Sequence, residues 1–305
     1  MATVESVPYG NLKSRRKEAN KDKIFDIVII IILVLFAILT LYPILHAVAC
    51  SFSSPFELIT QGAHIFPNKF SLENYEMILN RSNIWNAIRA TAARTLIGTV
   101  LTLASSALLS YILSRKNFIF KTSLTIFWVI TMYATAGFVP VFILYRYLHL
   151  TQTFWVYIIP SLVCVFNVMV MRTYMQGIPD SLEEAAQMEG AGPLTIFFRI
   201  ICPLCKPVYA ATALFIASYQ WNSWFDAMVY NRFCPEYTTL QYELMKYLTA
   251  VANCDNGLIE YERPMVAIQG LRFAVVVISM LPPLIIYPFV QRYFITGVTI
   301  KSIKE

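Results

Sequence analysis

The sequence predicts an all-α protein that crosses a membrane several times. Of its 305 residues, 57% are hydrophobic and only 14% are charged, against about 25% charged in a typical soluble domain. The mean hydropathy is +0.58. A water-soluble fold of this size has too little interior to hide so much apolar side chain, so these values exclude a soluble enzyme and a disordered scaffold.

Six stretches are long and apolar enough to cross a bilayer, whose core of about 30 Å requires about 20 helical residues. Backbone amides in lipid must bond within their own segment, so each stretch is predicted to be one helix. The predicted spans are residues 27–50, 85–113, 123–144, 154–171, 208–230 and 273–290. The first is longer than the apolar region of a cleavable signal sequence, which has about 7–15 residues.

The distribution of Lys and Arg predicts that both termini are cytoplasmic. This arrangement places more than twice as many basic residues in cytoplasmic segments as in external ones, as the positive-inside rule requires. The basic excess therefore follows the membrane sides and does not indicate a nucleic-acid partner. The predicted organisation is a basic tail (1–23), a first span (24–51), a core of five spans (84–294) and a cytoplasmic tail (295–305).

Two predicted external segments, 52–84 and 231–272, are long and mix acidic with aromatic residues. Loops longer than about 15 residues are usually functional or disordered, and this composition favours a folded surface that faces a partner. Cys234 and Cys254 share the second segment, and whether they form a disulfide stays open. Cys202 and Cys205 form a C-x-x-C without a second Cys/His pair, so we expect small buried side chains and no metal site.

The segment between the fourth and fifth spans, 177–207, is too polar for lipid. Ser181 and Glu184 predict a capping box at the start of a helix. Gly190 is suited to a positive φ that ends this helix, and Gly192 with Pro193 would then begin a second one. A short helix, a glycine turn and another helix are typical of a surface that docks against another protein.

This segment resembles the EAA loop in the permease subunits of bacterial ATP-binding-cassette (ABC) importers. The matching positions are Glu184, Ala185, Ala186, Gly190, Ala191, Phe197, Ile200, Pro203, Leu204 and Pro207. The one departure in the loop is Glu189, where the family usually has Asp. Residues 111–115, 137–140, 148–151, 221–225 and 291–294 also resemble the carbohydrate-uptake branch, whose core is MetI-like (MalG belongs to it). Within that branch the chain resembles in particular the LplC/YtcP-type group, which takes up oligosaccharides from complex polysaccharides.

The resemblance implies a permease subunit in the bacterial cell membrane that forms half of the pathway for an oligosaccharide. Its implied partners are a second homologous permease, two ABC ATPase subunits and an extracellular solute-binding protein. The chain contains no G-x-x-x-x-G-K-[ST] motif, so we expect no ATPase activity and no cofactor here, with ATP and Mg²⁺ bound by the partners. The implied coupling residues are Glu183, Glu184, Ala185, Ala186, Glu189, Gly190 and Ala191. Glu184 would contact a basic group of the ATPase, and the two alanines would allow close approach.

Polar and aromatic residues at membrane depth are candidates for the substrate pathway. They are Tyr133, Asn167, Tyr219, Gln220, Trp221 and Asn222. The alternative is that the amides bond to neighbouring helices and that the aromatic rings pack in the core. Arg94 is expected to extend its side chain outward to water. Two other functions stay open, namely import of a non-sugar solute by the same machinery and secondary transport without an ATPase.

Overall fold

The computed structural model describes residues 12–54, 58, 66, 69–116, 118–134, 136–255 and 262–299. These residues are mostly helical, and their β contact is an isolated bridge between Ser53 and Phe70. The α-helices are α1 (Leu12–Ser51), α2 (Glu73–Leu79), α3 (Ser82–Ser114), α4 (Lys121–Tyr133), α5 (Phe138–Tyr147), α6 (Val165–Gln176), α7 (Ser181–Met188), α8 (Pro193–Leu204, with a π-helical middle), α9 (Lys206–Asn222), α10 (Phe225–Tyr230), α11 (Leu240–Asp255) and α12 (Glu262–Thr299). Two 3₁₀ helices, Phe154–Tyr157 and Ile159–Ser161, precede α6.

Three helical stretches in the described part of the chain are long and apolar enough to cross a membrane. They are Phe25–Ser51 in α1, the whole of α3 and Gly270–Pro288 in α12. Three bent helix pairs raise the number to six if each pair counts as one span: α4 with α5, the 3₁₀ helices with α6, and α8 with α9. The chain therefore has three to six candidate spans.

The prediction of continuous helices over 123–144, 154–171 and 208–230 is wrong. α4 and α5 meet at 113°, where Gly137 adopts a φ of 81°. The 3₁₀ segment lies at 43° to α6. α9 ends at Asn222 because Ser223 is extended, with φ −73° and ψ 127°. A hydropathy average over about 20 residues did not show these breaks, because each break is only a few residues long.

Both predicted ends of the chain contain more helix than expected. α1 begins at Leu12, within the predicted basic tail, because its Lys, Arg, Glu and Ala residues favour helix and no Gly or Pro interrupts it before Phe25. α11 lies within the predicted external segment, and α12 begins at Glu262, eleven residues before the expected span. Residues 1–11, 256–261 and 300–305 lie outside the described part. Cys234 is a free thiol, and the side chain of Cys254 lies outside the described residues.

α3 is the central helix and packs against both α6 and α9. Its buried contact line repeats every fourth residue with small side chains: Gly98, Thr102, Ser106 and Ser110. Residues at this spacing form one ridge, and small side chains let neighbouring backbones approach closely. A Cβ at Gly98 would lie 2.8 Å from Nε2 of Gln220. The absence of a side chain at Gly98 therefore makes room for the side chain of Gln220 on α9.

α1 is peripheral. None of the most apolar window of Phe25–Ser51 is buried, and α1 packs against α12, where His46 lies edge-on to Phe273 with 6.3 Å between the ring centroids. A helix with apolar side chains on all sides is suited to lipid contact.

Candidate functional site

The predicted glycine turn after α7 is confirmed. Gly190 has a φ of 83°. Its N–H donates to the carbonyl of Gln187 at 2.9 Å, and the N–H of Ala191 donates to the carbonyl of Ala186 at 3.0 Å. These two bonds form a Schellman motif, which requires a left-handed residue at this position. The chain then turns into α8, which begins at Pro193 as predicted.

The predicted capping box at the start of α7 is wrong. Ser181 is the first residue inside the helix, and the capping position belongs to Asp180. Asp180 has helical backbone angles (φ −62°, ψ −26°) and makes no side-chain capping bond. A capping side chain needs an extended backbone to reach the free N–H groups, so neither Ser181 nor Asp180 is placed to cap α7.

α7 has an inner and an outer face. Glu183 and Ala186 are buried, and Ala186 belongs to a cluster with Met171, Met175 and Phe197. The side chains of Glu184 and Ala185 are exposed. The structure therefore divides the predicted coupling residues: Glu184, Ala185, Glu189 and Gly190 lie on the surface, whereas Glu183 and Ala186 face the subunit's own core and Ala191 is half-buried.

The polar segment exposes several large apolar side chains. Leu182 and Met188 project from α7, and Leu194 and Phe198 project from α8. The acidic residues Glu184 and Glu189 are exposed as well. Exposed apolar side chains together with charges are typical of a protein-binding surface.

The C-terminal end of α3 contacts α7 through two ion pairs. Arg115 pairs with Glu183, and Nζ of Lys116 lies 2.5 Å from Oδ2 of Asp180. The bond from Lys116 holds the pKa of Asp180 below its ordinary value, and Asp180 raises the pKa of Lys116. A cavity of about 570 Å³ lies between the two elements.

The structure divides the predicted pathway residues as well. Trp221 is buried and donates from Nε1 to the carbonyl of Ser279 at 2.9 Å, and Asn167 and Gln220 are also buried. Tyr133 and Asn222 are exposed. Trp221 thus packs α9 against α12, and its side chain is not placed to line a pathway in this conformation.

Tyr219 and Asn222 belong to an exposed stripe on α9 that also contains Phe215 and Ser218. The four positions follow helical spacing, so they lie on one face. Oδ1 of Asn222 accepts a hydrogen bond from Nε2 of Gln241 at 3.0 Å, which joins this face to α11.

The expectation that Arg94 reaches outward is wrong. Its side chain is 1% exposed and pairs with Asp226 through two bonds, Nη2–Oδ2 at 2.6 Å and Nη1–Oδ1 at 3.1 Å. Oε1 of Gln220 accepts from Nε and Nη2 of Arg94 at 3.1 and 3.0 Å. The guanidinium carbon lies 4.2 Å from the ring centroid of Tyr157. A buried charge is tolerated only with such partners.

Asp226 and Tyr157 are the residues that sequence reasoning missed. The signal for Asp226 was present, because it is an acid within the predicted fifth span, and ionisable groups at membrane depth usually pair with each other. Arg94 was the matching base. No comparable signal in the sequence indicated Tyr157.

Comparisons with known proteins give consistent results, although no protein-family model matches the sequence. The chain is 30% identical over 285 residues to the polygalacturonan/rhamnogalacturonan transport system permease protein YtcP of Bacillus subtilis (strain 168), covering 93% of this chain and 99% of the relative. It is 30% identical over 286 residues to protein LplC of the same organism, covering 92% and 95%.

Solved structures agree with these relatives. A chain of a bacterial ABC transporter involved in the import of the acidic polysaccharide alginate matches with a TM-score of 0.80 and 30% identity, covering 94% of this chain and 100% of that chain. A chain in the complex of a bacterial alginate ABC transporter with an alginate pentasaccharide-bound periplasmic protein matches with a TM-score of 0.60 and 13% identity, covering 90% and 94%. The second match supports the fold alone.

Proposed function

The chain belongs to the permease subunits of ABC transporters that import carbohydrates, and we propose that it forms half of the membrane pathway for an oligosaccharide. The observation that carries this proposal is the similarity over nearly the whole chain to YtcP and to the alginate importer chain. The proposed substrate is an oligosaccharide released from a complex polysaccharide. An extracellular binding protein would deliver it, as the periplasmic protein in the second alginate structure suggests.

In the proposed topology, α4 with α5 and the 3₁₀ helices with α6 each form one span and α9 forms the fifth, which gives six spans and cytoplasmic termini in the bacterial cell membrane. α8 stays on the cytoplasmic side together with α7. A broken helix can cross a bilayer when its freed backbone groups face protein and not lipid, and the bend of 43° before α6 is compatible with a single span. The excess of basic residues in the proposed cytoplasmic segments supports the orientation.

The outer face of α7 is the proposed contact with an ABC ATPase subunit. Glu184 would pair with a basic group of the ATPase, while Met188, Leu194 and Phe198 would supply the apolar area. The Schellman motif at Gly190 would keep α7 and α8 at a fixed angle, so that α7 moves as a rigid unit. ATP and Mg²⁺ would be held by the two ATPase subunits, and this chain would not hydrolyse ATP itself.

The exposed stripe on α9 is the proposed substrate-facing surface. Tyr219 is 65% exposed, and together with Asn222 it offers an aromatic face beside an amide, which suits a ring with hydroxyl groups. A second homologous permease would close the other side of the pathway. Gln220 and Trp221 lie on the buried side of α9. They would hold this surface in place through the hydrogen bonds of Gln220 with Arg94 and of Trp221 with Ser279.

The proposed docking surface for the binding protein is the described part of 231–272. There Nη1 of Arg81 donates to the hydroxyl of Tyr247 at 3.2 Å, and Nζ of Lys246 lies 4.4 Å from the ring centroid of Tyr242. Tyrosine with neighbouring charges is frequent at protein interfaces, and the exposed ring of Phe233 adds apolar area.

Glu184→Lys in the complete importer tests the proposed function. The change replaces an attractive contact with the ATPase by a repulsive one, so uptake and the ATPase activity stimulated by the binding protein should fall while the subunit still inserts and assembles. Asp26→Lys is the matched control, because Asp26 is an exposed acidic residue of α1 that lies outside both α7 and the proposed docking surface. Normal stimulation and uptake in Glu184→Lys would overturn the coupling role of α7.

If the wild-type complex transports its solute under an ion gradient without ATPase subunits, the ABC mechanism is overturned. Stimulation by binding proteins loaded with an oligosaccharide, a peptide or a polyol separates the substrate classes. Stimulation by the oligosaccharide form is expected.

A further inference from the structure

Two consecutive basic residues at the end of α3 hold two acidic residues of the α7 region. Arg115 is the first residue after α3, with extended backbone angles (φ −73°, ψ 141°), and Lys116 follows it. Their partners, Glu183 and Asp180, are three residues apart and therefore lie on the same side of the first turn of α7.

The two ion pairs differ in their access to water. Arg115 and Glu183 are only 18% and 11% exposed, and the guanidinium carbon of Arg115 also lies 4.8 Å from the ring centroid of Tyr111. Lys116 and Asp180 are 79% and 46% exposed. The first pair is screened little by salt, whereas the second is screened strongly. The Arg115–Glu183 pair is thus the main link of the two.

These ion pairs lie across a cavity that apolar side chains do not fill. The cavity of about 570 Å³ is lined on one side by the end of α3 and on the other by α7 and the start of α8. Further in, Tyr111 contacts Phe197 with 5.1 Å between the ring centroids. At the start of α7, ionic contacts span this cavity in place of close packing.

We propose that Arg115 and Lys116 are positioning residues, which fix α7 to α3 so that a displacement of α7 moves α3 with it. This inference rests on the proposed function, because it supposes that a partner displaces α7. α3 is packed along its length against α6 and α9, so a movement of its end is passed to the helix that carries Tyr219 and Asn222. The ion pairs thereby determine that the displacement of α7 is passed to α3 and, through the packing of α3, to α9.

Charge reversal and charge exchange test this role in the importer assembled with its second permease and ATPases. Arg115→Glu and Glu183→Arg each place like charges together, so stimulation of the ATPase by the binding protein and uptake should fall about tenfold. Basal ATPase activity and assembly should stay unchanged in Arg115→Glu, because Arg115 lies outside the proposed ATPase contact. The double variant Arg115→Glu/Glu183→Arg restores opposite charges and should recover most of the stimulation. Lys23→Glu, a reversal at an exposed cytoplasmic position of α1, is the matched control.

A distance measurement tests the same point without transport. Spin labels at positions 112 and 188, which are both exposed, report the position of α7 relative to α3 in a background without other cysteines. We expect a narrow distance distribution in the unmutated background, a broad one in Arg115→Glu, and a narrow one again in the double variant.

The two measurements separate this inference from the proposed function. If the distribution is equally narrow in all variants, or if the double variant is no better than the singles, the positioning role is overturned. If the distances behave as expected but the wild-type complex shows no uptake driven by ATP, the proposed function fails while the attachment of α7 to α3 stands.

Discussion

The two ends of α3 carry ionic contacts of opposite character. Near its beginning, Arg94 is sealed from water and satisfied by Asp226, Gln220 and the ring of Tyr157. At its end, Arg115 and Lys116 make simple ion pairs beside an open cavity. A buried, multiply bonded charge has one low-energy arrangement, whereas the exposed Lys116–Asp180 pair can break and re-form at small cost and leaves Arg115–Glu183 as the main link. The difference indicates a fixed end with several buried partners and an end that is held mainly by one ion pair.

The fixed end of α3 also contacts the segments that follow α9. Asp226 lies in the first turn of α10, and Arg94 also donates to the carbonyl of Ser223 at 3.5 Å, at the break after α9. One turn earlier on α3, Oγ1 of Thr91 accepts from the N–H of Leu240 at the start of α11, at 2.8 Å. The proposed docking surface is therefore attached to α3 at the end opposite to α7.

The largest effect is expected at the fixed end. Arg94→Ala leaves Asp226 and Gln220 without their partner in a buried site, which costs about 3–5 kcal/mol of unfolding free energy. Arg94→Leu combined with Asp226→Leu should cost less than the single changes added together, because no charge is then left alone. The unfolding midpoint of the purified complex measures this, with Arg89→Ala as the exposed control on the same helix. Equal midpoints for Arg94→Ala and Arg89→Ala would contradict the comparison.

A medium effect is expected where α9 meets α3. The new Cβ in Gly98→Ala would lie 2.8 Å from Nε2 of Gln220, so Gln220 must shift and its bonds to Arg94 weaken. The expected cost is about 1–3 kcal/mol of unfolding free energy. Gly192→Ala is the control, because nothing lies within 4 Å of its Cβ and its φ of −73° suits alanine. If both changes are equally harmless in thermal unfolding, α9 does not depend on Gly98.

The smallest effect is expected at Lys116 and Asp180, where both side chains are exposed. The pKa of Asp180 is lowered from 3.8, so its stabilising contribution is complete above that value and is lost as the pH falls through the lowered pKa. The pKa of Lys116 is raised from 10.5, so its contribution is complete below that value and is lost as the pH rises through the raised pKa. The contribution of the Lys116–Asp180 pair to stability should thus be constant around neutral pH.

Carbon-13 titration of the Asp180 carboxyl checks this last expectation. The midpoint should lie below 3.8 in the wild type and return towards that value in Lys116→Met, because Lys116 is the main cause of the shift. The same midpoint in both proteins would show that the two side chains do not pair in solution.

Local constraints on the backbone could be predicted from the sequence, but the direction in which each helix face points could not. Gly190 was predicted because a left-handed residue at a helix end is a property of the residue itself. The buried orientation of Gln220 and Trp221 was not predicted. Hydropathy measures how apolar a helix is, but it does not show which neighbouring element each face of the helix contacts. The membrane-crossing core and the polar segment 177–207 followed from composition. The break after α9 coincides with a tertiary contact, the bond from Arg94 to the carbonyl of Ser223.

The length of α3 has a consequence for the lipid around the proposed importer. Its 33 residues make it about 50 Å long, whereas an average hydrocarbon layer is about 30 Å thick, so the helix can cross at a tilt. In a thicker bilayer, the layer must thin locally or the helix must reduce its tilt, at a cost of fractions of a kcal/mol for each Å of mismatch. Because the Arg94 end is rigid, this strain falls on the Arg115 end. The activity of the importer should therefore depend on acyl chain length, and the attachment of α7 to α3 is where that dependence would arise.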